Sequence, residues 1–308
     1  MNFEIEPRLV ENLFLKKSLL KDNNQEHKKI RPLLLFLSGG MRGVSGAGVG
    51  FALNILGWKN IFDTVVGVST GAGNAAYFLG GTQQSYIGGE IYYHYLAKYF
   101  INFFKKPIAD IDYVEWLIKN STNKINFKAI TESCAEFIVA VTDYNNGQGK
   151  LIDVKKSFPH MASAIKASIA MLGLYDLPVM VNCRNYLDGC IALPFPIKEV
   201  IEKFKPTDIL IVANCSRGKI KNKKTGQIEK IIMKLLFRKS PAHLKKLGLT
   251  RRTRFIEGYE YFNNLNSINK GIIWSDNNIS LLTRDSRKLR NTFYKSAVDT
   301  LTFFNKFK

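Results

Sequence analysis

VVGVSTGAGNAAYFLGG, residues 65–81, passes from a run of valines through a glycine-flanked serine into a small-residue segment. A short apolar run ended by glycine reads as a buried strand, and Ala72 to Leu79 then continue as a helix. Ser69 has Gly67 and Gly71 two residues to either side, which is the GxSxG pattern of a strained strand-to-helix turn that lifts a serine hydroxyl clear of a sheet. With Gly and Ser each near roughly 7% of residues, one such match arises by chance in about one chain in ten of this length, so the flanking elements carry the reading. A helix that begins at the serine aims its dipole and its free amides at that hydroxyl.

Upstream, PLLLFLSGGMRG (32–43) repeats the construction, and VSGAGVGFALNIL (44–56) follows as a helix. Strand, glycine turn, helix, strand is the opening of a parallel α/β sheet. FIVAVT (137–142), PVMV (178–181) and DILIVAN (208–214) supply further strands in the same scheme. In a parallel sheet the carboxyl ends of neighbouring strands share one edge, so the Ser38–Gly43 turn lies beside Ser69. Its bare N–H groups face a reacting carbonyl there, with Arg42 adding positive charge. Residues 1–30 carry the polar cluster KDNNQEHKK (21–29) and read as an N-terminal extension and linker ahead of a single domain over 31–308.

The 308 residues hold 45 Lys+Arg against 25 Asp+Glu, a net charge of +20 that attracts polyanions. Anionic lipid surfaces and nucleic acid both answer to that charge. Fourteen of the cations and one acid, Glu229, fall within 216–254, around the apolar patch IIMKLLF (231–237). That segment is either a solvated basic face or an amphipathic element that docks on anionic membrane. A second unusual stretch, 86–116, contains ten aromatic residues in a helical setting, and reads as core, as a wall for acyl chains or as an interfacial surface. The four cysteines lack metal-site or disulfide-scaffold spacing, so no metal or cofactor is expected. The N-terminus lacks the order of a signal peptide and no run suffices to span a bilayer, so a cytoplasmic protein that touches membranes from outside is expected, with signal-independent export left open.

A serine nucleophile needs a base, and two residues compete for the role. His243, in PAHLKKLG, is the one histidine late enough for a Ser, Asp, His chain order. Asp188, in NYLDGC, follows a strand-like run and precedes glycine, a loop-tip setting for a functional acid. A carboxylate serves as base for a hydroxyl only when desolvated and bonded directly to it. The same letters also satisfy GxGxxA at Gly71, Gly73 and Ala76, but Glu90 falls in a helical stretch where a dinucleotide fold wants its acid at a strand end. A basic lipid- or nucleic-acid-binding protein without catalysis is the rival of another class.

SGGMRG, GVSTG and DGC together resemble the patatin-like phospholipase family, whose GGGxRG-type turn, GxSxG elbow and DGG or DGA aspartate come in that chain order. Here Ser69 and Asp188 are 119 residues apart. VTDYNNG (141–147) and ASIA (167–170) look like the family's strand-end Thr-Asp turn and its ASxA segment, and 284–297 more loosely like the C-terminal helix of bacterial members. The resemblance implies a three-layer α/β/α fold with a mainly parallel central sheet and a Ser69/Asp188 dyad that dispenses with histidine. It implies an oxyanion hole from Gly39, Gly40 and Thr70 with Arg42, and a phospholipid or lysophospholipid as substrate, with nucleic acid not expected. Ser38, Leu172 and Cys190 depart from the family's pattern without removing nucleophile, base or arginine.

Overall fold

The apolar runs pair into one nine-stranded sheet in the computed structural model, which describes residues 1–102, 104, 107–175, 177–221, 237–238, 240–276 and 278–307. The strands are β1 (Asn2–Ile5), β2 (Pro32–Phe36), β3 (Thr64–Val68), β4 (Glu136–Asp143), β5 (Gly149–Asp153), β6 (Val179–Val181), β7 (Arg184–Asp188), β8 (Asp208–Ala213) and β9 (Asn269–Trp274). Their order is β1-β9-β8-β2-β3-β4-β7-β6, with β5 also on β4. The five central strands, β9 to β4, run parallel. The remaining strands join antiparallel at the two ends.

Continuous apolar runs are what a sheet covered on both faces demands. Leu34, Phe36, Val65, Val139 and Val212 point into one layer with the helices Gly43–Ile55, Thr70–Leu79, Met161–Ile169 and Ser286–Asn305. Leu33, Leu35, Val66, Ile138 and Ile211 point into the other, against the helices Ile197–Phe204 and Ala242–Asn263. The mixed α/β fold with its large, mostly parallel sheet is the one expected.

PVMV departs from the parallel scheme. It forms β6, which turns straight back into β7 through Asn182 and Cys183, both at positive φ (48° and 61°). A two-residue loop of that kind makes a hairpin, so β6 is an antiparallel edge strand. Residues 1–30 join the sheet as well: β1 pairs with β9, and the helix Pro7–Lys21 buries Leu9, Val10 and Leu13 against the core. Lys16, buried on that helix, donates to Asp63 Oδ1 (2.6 Å) and to Ile30 O (2.8 Å).

The aromatic stretch divides between two tasks. Tyr92 and Tyr93 are buried on the π-helical turn Ile91–Leu96, whereas exposed Tyr99 and Trp116 pack on the half-buried ring of Tyr113. Of the basic segment 216–254, residues 222–236 and 239, with most of IIMKLLF, lie outside the described residues, as does Phe103. Its carboxyl-terminal part opens the 22-residue helix Ala242–Asn263, which packs on the sheet through Phe262. Among the described residues no helix is long and apolar enough to cross a membrane.

Candidate active site

β2 and β3 end side by side, and the Gly39–Arg42 turn and Ser69 leave them at the same edge. Ser69 has φ 56° and ψ −129°, a conformation that costs an L-residue on the order of 1–3 kcal/mol. Its flanking glycines permit it. A Cβ at Gly71 would stand 2.2 Å from Phe36 O, and one at Gly67 would stand 2.4 Å from Ala72 Cα.

β7 runs against β4 in a register that sets Asp188 opposite Val141. The turn behind it is close-packed, since a Cβ at Gly189 would meet Ala140 O at 2.1 Å. Thr142 Oγ1 donates to Asp188 O (2.8 Å) and accepts from Ala192 N (3.1 Å), tying that turn to β4. So held, Asp188 Oδ2 accepts from Ser69 Oγ at 2.6 Å, while Oδ1 accepts from Cys190 N at 2.8 Å. Both side chains are buried, Asp188 almost completely. Burial pushes the Asp188 carboxyl above its ordinary range, partly opposed by the bonds from Ser69 and Cys190 and by the charge of Arg251. A hydroxyl with a direct, desolvated acceptor is equipped to lose its proton to that acceptor.

The donors around Ser69 are already sorted by what they hold. Ser69 N donates to Ser168 Oγ (3.1 Å), which donates to Ala140 O (2.7 Å), so this amide is spent on fixing the elbow. In the glycine turn, Met41 N donates to Leu281 O (2.9 Å) and Arg42 N to Gly39 O (3.1 Å). The amides of Gly39 and Gly40 find no acceptor among the described residues, and neither does that of Thr70 at the first position of its helix. Asn214, just after β8, braces the turn: its Nδ2 donates to Leu37 O (2.7 Å) and its Oδ1 accepts from Gly46 N (2.9 Å). Tyr92 donates to Asn74 (3.1 Å), which donates to Gly43 O (2.8 Å), locking the elbow helix to the helix that leaves the glycine turn.

A cleft of about 680 Å³ opens over these groups and is lined by Gly39, Gly40, Arg42, Ser69 and Thr70. Leu96, Phe100, Ile111, Val114, Ile118 and Ile165 make one part apolar. Arg251, Arg252, Cys190 and Cys215 line it elsewhere, and Arg251 Nη1 approaches Cys190 Sγ at 3.7 Å. Burial, with the like charge of Arg251, pulls the Arg42 guanidinium below its ordinary value. Burial pushes the Cys190 thiol up, which leaves it protonated. Arg254, one turn on, donates to Ala192 O (2.8 Å) and Ile191 O (2.7 Å), clamping the segment that follows Asp188.

The structure therefore brings Ser69, Asp188, Gly39, Gly40, Arg42 and Thr70 together. His243 lies apart from this cleft, its Nε2 bonded to Tyr144 O at 3.1 Å. Glu90 closes the helix Thr82–Glu90 instead of a strand, which removes the ribose-binding geometry that a dinucleotide site requires. Sequence reasoning missed Ser168, Asn214, Leu281, Arg251 and Arg252. A signal for the last two exists: Arg251 with Phe255, and Arg252 with Ile256, are i,i+4 pairs and so share one helix face.

The family model described as Patatin-like phospholipase matches residues 34–201. Among solved structures the chain is similar to VipD from Legionella pneumophila, at 13% identity and a TM-score of 0.43, over 89% of this chain and 67% of that one. No curated protein matches the sequence.

Proposed function

The chain belongs to the patatin-like phospholipase family, and on that premise we propose that it hydrolyses acyl esters of phospholipids or lysophospholipids through Ser69 and Asp188. The observation that carries the reading is the 2.6 Å bond from Ser69 Oγ to a buried carboxylate, with no histidine between them. Asp188 takes the proton as Ser69 Oγ attacks the ester carbonyl. Burial raises the basicity of the carboxylate, and the direct bond removes the need for an intermediary.

The tetrahedral oxyanion is received by the amides of Gly39, Gly40 and Thr70, and the guanidinium of Arg42 adds charge from the cleft wall. Each well-aimed donor of this kind is worth about 3 kcal/mol of barrier. Asp188 returns its proton to the departing alcohol, which leaves an acyl group on Ser69. Water that Asp188 deprotonates then releases the fatty acid and restores the hydroxyl. The apolar part of the cleft takes the acyl chain. Residues 31–308 work as one catalytic unit, and the net charge of +20 holds it against anionic membrane.

A panel of phospholipids and lysophospholipids with product identification tests the reading, wild type against Ser69→Ala. Fatty acid released by wild type and lost in the variant supports it. Equal release by both overturns it.

A further inference from the structure

The helix Ile111–Asn120 carries apolar side chains on two faces, and the cleft uses one of them. Ile111, Val114 and Ile118 recur at i, i+3 and i+7 and line the cavity. Trp116 falls on the far side of the same helix, 51% exposed, and stacks on Tyr113 one turn before it at 6.0 Å. Tyr99, 58% exposed, meets the same Tyr113 ring edge-on at 5.5 Å. From Tyr99 the chain passes through the cavity lining at Phe100 and rejoins that lining at Ala109, where Ile101 and Ala109 bridge. Phe104, between these two points, is fully exposed on the rim. One wall therefore presents hydrocarbon to the cleft and three exposed rings to the outside.

We propose that Tyr99, Phe104 and Trp116 form the face by which the protein seats in the interfacial zone of a phospholipid bilayer. That the cleft should meet lipid rests on the acyl-hydrolase reading, whereas the seating itself does not. The net charge of +20 draws the chain to an anionic bilayer, but its cations are spread along the sequence from Arg8 to Lys306 and select no face. The rings select one. Trp and Tyr join an apolar body to a polar edge and favour the depth at which hydrocarbon gives way to head groups. Cations flank them: Lys98 adjoins Tyr99, Lys119 is one turn beyond Trp116, and Arg284 Nη2 reaches Lys98 O (3.5 Å). The acids of the helix, Asp112 and Glu115, both accept from Lys166 Nζ (2.5 and 2.7 Å), which offsets their charge, and Asp110 caps the first turn. Seated so, the rim at Phe104 stands in lipid beside the hydrocarbon lining of the cleft, and an acyl chain enters without crossing water.

Trp116 serves as its own probe, because the other two tryptophans, Trp58 and Trp274, are fully buried. Ser69→Ala protein, which leaves lipid intact under the hydrolase reading, is mixed with vesicles of equal parts phosphatidylglycerol and phosphatidylcholine. Tryptophan emission should move to shorter wavelength, and lipids brominated on their acyl chains should quench it. Adding Trp116→Phe should abolish both changes. Adding Tyr99→Ser with Phe104→Ser instead should weaken co-sedimentation with the vesicles by about tenfold, since the apolar area of two rings no longer leaves water.

Absence of vesicle binding overturns the proposal, and so does binding that leaves Trp116 emission unchanged, which would hand the contact to another face. Emission changes that survive Trp116→Phe, or a double-serine variant that binds as tightly as its parent, overturn it as well. A shift that appears on raising protein concentration without lipid would make the rings a contact between copies of this chain and has the same consequence. If the serine variant fails to fold, the emission and quenching of the unaltered rings decide. Failure of the hydrolase reading shows itself separately, as absence of fatty-acid release by wild type, and leaves the seating measurable.

Discussion

One set of residues lining the cleft, Leu96, Phe100, Ile111, Val114, Ile118 and Ile165, presents nothing but hydrocarbon, and another, Arg42, Arg251 and Arg252, presents three cations. The apolar set is made by helices between residues 91 and 169, within the stretch matched by the family model. The basic set takes two of its three charges from a helix that begins at Ala242, beyond that stretch. The two sets do different physical work. Apolar burial stabilises a bound chain by roughly 25 cal/mol per Å² but has no direction, whereas fixed charge orients what it meets.

The sharpest way to break this comparison leaves both sets intact and removes the chemistry. Asp188→Asn should lower hydrolysis of a soluble short-chain ester by about a thousandfold while lipid binding persists, because an amide cannot accept the Ser69 proton. Activity within about tenfold of wild type would move the base elsewhere. The same residue sets a pH dependence. Its folded carboxyl is raised by burial, so the stability it contributes is fully present below the ordinary carboxylate pKa of about 3.9 and is lost as pH rises through the raised value. Near neutral pH Asp188→Asn should accordingly melt at a higher temperature than wild type, and the gap should close on acidification. Activity runs the opposite way, rising with pH as the base ionises.

The apolar set is probed by filling the space it lines. Val114→Trp should cut kcat/KM for long-chain substrates by about tenfold and change a butanoyl ester by about twofold or less, because only the long chain needs the space. An equal loss on both would show that acyl chains do not enter there. Ser168→Ala acts on the support of the elbow: it strands the buried Ser69 amide, and urea unfolding should show a loss of about 1–3 kcal/mol. The smallest effect is expected from His243→Ala, which should alter ester hydrolysis by less than about twofold, since its ring serves the Tyr144 carbonyl. Abolished activity there would revive a histidine triad.

Much of the fold was legible because its signals are local. PLLLF and TVVGV read as buried strands from five consecutive apolar or small residues, and both became central parallel strands. GVSTG read as an elbow for steric reasons that the contacts at Gly67 and Gly71 make explicit. β1, β5 and β9 were not read as strands, because NFEI, GKLID and NKGIIW mix polar and apolar residues. PVMV was assigned to the parallel scheme because an apolar run carries no sign of its direction. The Asn182–Cys183 turn that reverses it lacks the glycine by which such turns announce themselves.

The sequence by itself determined that a serine sits on a strand-to-helix turn, that glycines precede it at the end of a neighbouring strand, and that an Asp-Gly follows. Each is a property of a few adjacent residues, whose conformational limits hold wherever the segment lies. Only the tertiary structure decided that Asp188, 119 residues away, reaches Ser69 at 2.6 Å and that His243 does not. It also decided that Ser168 holds the Ser69 amide, and that a basic segment read either as a solvated face or as an amphipathic element that docks on membrane delivers Arg251 and Arg252 to the cleft. Those outcomes depend on strand register and helix docking, which are set by how the two apolar faces of the sheet are covered. No window of neighbouring residues records that.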